Sequence, residues 1–244
     1  MNSMIVTLAF VPVLVVFAFS VHWGSVASLH SSAVGLPVCR MAFFGFSFLM
    51  NSFGWLLFVM SGTREPLAFL LPLGATFACA GDFYNLQFET ARHSIRSESV
   101  FGGILFFILT QVSYSVAFLA RVPLQDLVRL GFFVPVVVII GALCVAFFIL
   151  RVWSPSRPRK IMVAAAAYAL SLGFMTSVAV SAAFASRGPW LLVALGAASF
   201  VISDGMMGET TIHGRHPASE FQVPWLAYLI AQALIPYGYA LALL

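Results

Sequence analysis

Apolar residues run along this chain in long unbroken stretches, and clusters of Gly, Pro, Ser and charge close them, as at Ser61–Pro66, Ser154–Lys160 and Arg187–Pro189. A helix that crosses a bilayer needs about 20 consecutive apolar residues. That ruler predicts eight spans: Ser3–Val21, Met41–Met60, Leu67–Phe88, Val100–Ala120, Leu130–Val152, Ile161–Ala183, Pro189–Gly208 and Val223–Leu243. Strands of a transmembrane barrel would alternate apolar and polar positions, and these stretches do not, so a barrel is excluded. The first stretch lacks a positive leader, and Ser25-Val26-Ala27 is only a weak cleavage pattern, so it reads as a retained helix. The expected fold is all-α: a single polytopic helical bundle over residues 1–244.

Composition agrees with that solvent. Only 8% of the 244 residues are charged and 61% are hydrophobic, which leaves too little polar surface for a water-soluble globule. Net charge is +4, yet the basic residues form no run that would follow a nucleic-acid backbone. They sort by side instead. Loops 1–2, 3–4, 5–6 and 7–8 hold Arg40, Arg92, Arg96, Arg151, Arg157, Arg159, Lys160 and Arg215, and the other side holds Arg64, Arg121, Arg129 and Arg187. The positive-inside rule then puts the termini outside and the richer loops in the cytoplasm. This fits a bacterial inner membrane or, in a eukaryote, an ER-type membrane.

Two halves echo one another. Leu73-Gly74-Ala75 leads to Asp82, and Leu195-Gly196-Ala197 leads to Asp204 with the same spacing, while Gln111 finds its counterpart in Gln232. Four spans per unit make the copies, about 1–122 and 123–244, parallel, so equivalent residues end on one side. Asp82 and Asp204 lie within apolar stretches, unlike the other six acids. A charge at the middle of a spanning helix costs about 2.5–3.5 kcal/mol, so such acids normally face the bundle interior. Two carboxyl groups in one poorly hydrated site hold a proton between them, which yields one acid and one base. Nearby polar residues need partners too: Asn85 after Asp82, Gln111 and Tyr114 on one face of span 4, and Tyr228 and Gln232 on one face of span 8. Arg40, where span 2 opens, suits either a phosphate or an orientation signal.

Other chemistries lack their residues. Cys39, Cys79 and Cys144 form no CxxC, and His213 and His216 lack a third ligand, so no metal site is expected. There is no Gly-x-Ser-x-Gly elbow and no nucleotide glycine motif. The single lysine, Lys160, lies in a loop, which excludes a retinal Schiff base. Trp153, Trp190 and Trp225 near span ends read as interfacial anchors.

Gly81-Asp82, a Gly at 102 or 103, Phe107, Tyr114, Phe118, Ser203-Asp204, Tyr228 and Gln232 together resemble the pattern of the YhhN family of integral membrane proteins. Two positions depart from it: Gln111 stands where the family has histidine, and Arg40-Met41 stands for its Lys-Pro. The resemblance implies eight helices and a lysoplasmalogenase activity that hydrolyses the vinyl ether of a lysophospholipid to a fatty aldehyde. Carried onto this chain, it implies Asp82 and Asp204 as catalytic groups and Tyr114, Ser203, Tyr228 and Gln232 as substrate-binding ones, with no cofactor; Arg40, Asn85 and Gln111 join the substrate-binding set on their placement alone. Two other classes fit the same residues: a transporter with the acids as a proton or cation relay, and a catalytically silent lipid-binding protein.

Overall fold

A computed structural model describes residues 35–86, 99–214 and 222–243 of the chain. The stretch Ser3–Val21, read as the first span, lies outside them, as do Arg92, Arg96, Arg215 and His216. The described residues form helices and no strands: α1 Gly35–Ser61, α2 Leu70–Asn85, α3 Ser99–Arg121, α4 Leu124–Arg129, α5 Phe133–Phe147, α6 Arg159–Ser186, α7 Pro189–Gly208 and α8 Gln222–Ala242. Two π-helical turns, Phe148–Val152 and Glu209–His213, continue α5 and α7. Among the described residues, six helices are long and apolar enough to cross a membrane: α1, α3, α5 with its π turn, α6, α7 with its π turn, and α8. The protein is therefore an integral membrane protein. At 16 residues α2 is shorter, about 24 Å at 1.5 Å per residue.

Helices α1, α2, α3, α6, α7 and α8 pack in that cyclic order, α8 closing back on α1. Inside this ring sits the main core, with Tyr114, Phe118, Trp190 and Tyr239 towards one end and Phe107, Phe200 and Tyr228 towards the other. Trp190 is 4% exposed and stands edge-on to Phe118 and Tyr239, so it is a core residue and not the lipid-facing anchor its position near a span end suggests. Helix α5 lies outside the ring, against α6. Its outer face, with Val134, Val138, Ile139 and Leu150, is exposed, as suits contact with acyl chains.

Small residues set how closely the helices approach. A Cβ on Gly74 would lie 2.7 Å from the Tyr114 ring, and one on Gly81 would lie 2.8 Å from the Phe107 ring. Both pairs are seven residues apart, so α2 offers two seats to two aromatic knobs of the antiparallel α3. Gly196 does the same for Ile235 between α7 and α8. Polar bonds fix α1 on α2: Thr76 donates to Asn51 at 2.9 Å, and the Trp55 indole donates to Thr76 at 3.0 Å. At one end α3 and α8 are tied where the Tyr239 hydroxyl donates to the Ala117 carbonyl at 3.0 Å.

Gly74→Ala and Gly81→Ala are expected to destabilise the protein by about 1–3 kcal/mol through overpacking. Gly45→Ala, on an open face of α1, should instead stabilise it by about 0.5–1 kcal/mol. Thermal unfolding in detergent of the three variants checks the contrast.

Candidate functional site

Asp82 is in the last turn of α2, and Asp204 is near the end of α7. Both line one cavity of about 720 Å³ bounded by the end of α2, by α3, α5, α6, α7 and by the start of α8. Hydrocarbon does not solvate a carboxyl group, so each acid draws its hydrogen bonds from neighbouring helices. Asp82 accepts from the Ser47 hydroxyl of α1 at 2.5 Å and from the Tyr228 hydroxyl of α8. Asp204 accepts from the Tyr168 hydroxyl of α6. Each tyrosine is steadied in turn by an amide: Gln232 donates to Tyr228 at 2.8 Å, and Gln111 donates to Tyr168 at 3.3 Å.

The arrangement is therefore two Gln–Tyr–Asp relays. Phe107 lies between them, its ring 6.2 Å from that of Tyr168 and 6.5 Å from that of Tyr228. The relays draw their tyrosines from different places. Ser47 and Tyr168 stand 35 and 36 residues before the acids they serve, so these donors repeat within one residue of the spacing that relates the acids. Sequence reading missed both, and that spacing was the signal that could have found them.

Of the other residues expected from sequence, Asn85, Ser203 and Tyr228 line the cavity. Asn85 packs against Gly103, where a Cβ would lie 2.1 Å from its Oδ1, which identifies Gly103 as the glycine this contact requires. Gln111 and Gln232 do not line the cavity, and reach its wall through the tyrosines. Tyr114 is fully buried over Gly74, away from the cavity lining, and its hydroxyl has no hydrogen-bond partner; the Oε1 of Gln111, one turn away, has none either. Arg40 falls in α1, and its side chain lies outside the described residues. Trp225 lines the cavity.

A model of the YhhN family matches residues 43–239, a span that includes both acids, both tyrosines and both glutamines. The chain belongs to the YhhN family. Neither the curated proteins nor the solved structures gave a match. In this YhhN protein, the two π turns line one end of the cavity through Phe148, Val152, Thr211 and Ile212. Arg151 pairs with Glu209 at 2.6 Å, and the Arg157 guanidinium donates to the carbonyls of Ile212 at 2.8 Å and Thr211 at 3.1 Å. Glu209 is at a span end as expected and is 6% exposed: α7 continues past Gly208 as a π turn, and the carboxylate is covered there beside Arg151. His213 ends that turn with Nδ1 2.9 Å from the Trp153 carbonyl. Among the described residues no three His, Cys, Asp or Glu come together as metal ligands.

Tyr168→Phe combined with Asp204→Asn in a double-mutant cycle is expected to show a coupling of about 1–3 kcal/mol, the range for a buried hydrogen bond to an acid. Unfolding of the single and double variants measures it, and strict additivity would contradict the relay.

Proposed function

We propose that this protein hydrolyses the vinyl ether bond of lysoplasmalogens, giving a fatty aldehyde and glycerophospho-ethanolamine or -choline. The observation that carries the reading is the pair of carboxyl groups, from two halves of the chain, lining one largely apolar cavity. Family membership supports it. Vinyl ether hydrolysis needs a proton for carbon and a base for water, and two positioned acids supply both.

Asp82 has two donors and acts as the carboxylate; Asp204 has one and carries the proton. Asp204 protonates the β-carbon of the alkenyl group, and the double-bond electrons form that C–H bond as the oxygen becomes an oxocarbenium. Asp82 takes a proton from water as the hydroxyl adds to the α-carbon. The hemiacetal then collapses: Asp82 returns its proton to the departing glycerol oxygen, and Asp204 takes the hemiacetal hydroxyl proton as the aldehyde forms. Both acids end as they began. Tyr168, Tyr228, Ser203 and Asn85 hold the acids and the ether in register, and no cofactor is required. Around this site we place eight spans in two parallel units of four, with the termini outside and the acids towards the cytoplasm.

Purified protein given 1-alkenyl-lysophosphatidylethanolamine should release fatty aldehyde, and Asp82→Asn and Asp204→Asn should each lower the rate by about 10²–10⁴-fold, the usual contribution of a general acid or base. No aldehyde from the wild type would defeat the hydrolase, and a proton flux in proteoliposomes that these same substitutions abolish would put the relay in its place. Gln111→His restores the family's residue beside Tyr168. Its pH–rate profile is expected to gain a titration step that the wild-type amide cannot give.

A further inference from the structure

The lining of the cavity runs to both sides of Asp204 along α7, as two arms. Along α7, Asp204 is six residues from Ala198 at one extreme of the lining and seven from Thr211 at the other, about 9 and 10 Å at 1.5 Å per residue. The arm towards Thr211 is lined by the two π turns, which the Arg151–Glu209 pair joins. The arm towards Ala198 runs between α5, α6 and α7 and is walled by Ile140, Leu172, Val180 and Val201, with only Thr176 polar, its hydroxyl bonded to the Leu172 carbonyl. Beyond Val180, Phe132 and Phe184 meet edge-on and close the gap between α5 and α6.

This second arm is open sideways. Leu143 and Phe147 on α5 and Ala198 and Ile202 on α7 line the cavity and are also exposed. Helix α5 meets α7 chiefly through its π turn, where Val152 packs on Gly208, with Phe147 against Gly205 one turn earlier. Past that contact a fissure separates them. Its lips share the exposed apolar character of the outer face of α5, so the medium at the opening is hydrocarbon.

We infer that this fissure is a lateral entrance and groove for one lipid hydrocarbon chain, which lies between α5 and α7 with its end at Ile140, Val180 and Ala198 and its polar junction at the two acids. Bilayer chains are as apolar as the groove wall, so burial alone gives a chain no reason to leave the bilayer. The occupant must gain elsewhere, through a hydrogen-bonding group that reaches Tyr168, Tyr228 and the carboxyl groups once the chain is seated. A single-chain amphiphile satisfies this. The inference rests on the proposed hydrolase activity for the identity of the head group, but not for the chain.

The test uses saturated 1-O-alkyl-lysophosphatidylethanolamines, which lack the double bond to be protonated, with chains from decyl to octadecyl, and reads retention by native mass spectrometry. Wild type should retain them, and Ala198→Phe should lower retention of the longest relative to the shortest by about tenfold, as an overpacked site does. Ile140→Ala, which lengthens the groove, should shift preference to longer chains, and Val138→Phe, on the outer face of α5, should behave as wild type. A diazirine at the chain terminus should label α5, α6 or α7 near Ala198. Chain preference unchanged in both Ala198→Phe and Ile140→Ala, no retention by wild type, or a dimer that Ala198→Phe dissociates, overturns the groove. If retention follows this pattern and no aldehyde forms from the alkenyl lipid, the hydrolase fails and the groove stands; if aldehyde forms while chain preference ignores both variants, the reverse holds.

Discussion

A carboxyl group inside hydrocarbon cannot take its hydrogen bonds from water, and most of this molecule's arrangement follows from satisfying two of them. Asp82 reaches across the bundle to Tyr228 on α8, and Asp204 reaches Tyr168 on α6. The first bond ties the two halves of the chain together, and the second ties two neighbouring helices of the later half. Because each tyrosine is bonded again by a glutamine, the hydroxyls are aimed before any ligand arrives. That preorganisation is what a site needs if charge is to develop in a medium that cannot reorganise around it.

The ring of helices makes these bonds possible by bringing backbones close. Gly81 admits the Phe107 ring beside Asp82, and Gly103 admits Asn85 one turn further along α2. The same seats set the depth of α3 against α2, and so the position of Gln111 behind Tyr168. Packing and polar chemistry are therefore not separable here: a methyl group at Gly81 pushes on the ring that stands between the two relays.

Helix α5 is the exception to the ring, and it gives the site its access. It is braced against α6 and meets α7 through the π turn, with the Arg151–Glu209 pair and the Arg157 bonds to backbone carbonyls tying the two π turns together. A π turn takes an additional residue into the helix and redirects the side chains after it, which is why such turns recur where helices must meet at an imposed point. The arm away from these arginines is the apolar one, and its lips at Leu143 and Ile202 are exposed.

The amino-acid sequence alone determined that the chain is built of long apolar helices suited to a membrane and which two acids lie within apolar stretches, because hydropathy and the cost of a buried charge are properties of a window of about 20 residues and need no neighbours. The spacing from Asp82 to Asp204, and from Gln111 to Gln232, was legible for the same reason. What the tertiary structure decided was adjacency: that Tyr168 and Ser47 are the donors, that Tyr114 sits over Gly74 with its hydroxyl unpartnered, that Trp190 is core, and that Glu209 is covered beside Arg151. A local apolar pattern does not say which helix stands beside which, since every face of a spanning helix is apolar whether it meets lipid or protein. Only the lateral packing of the bundle distinguishes the two.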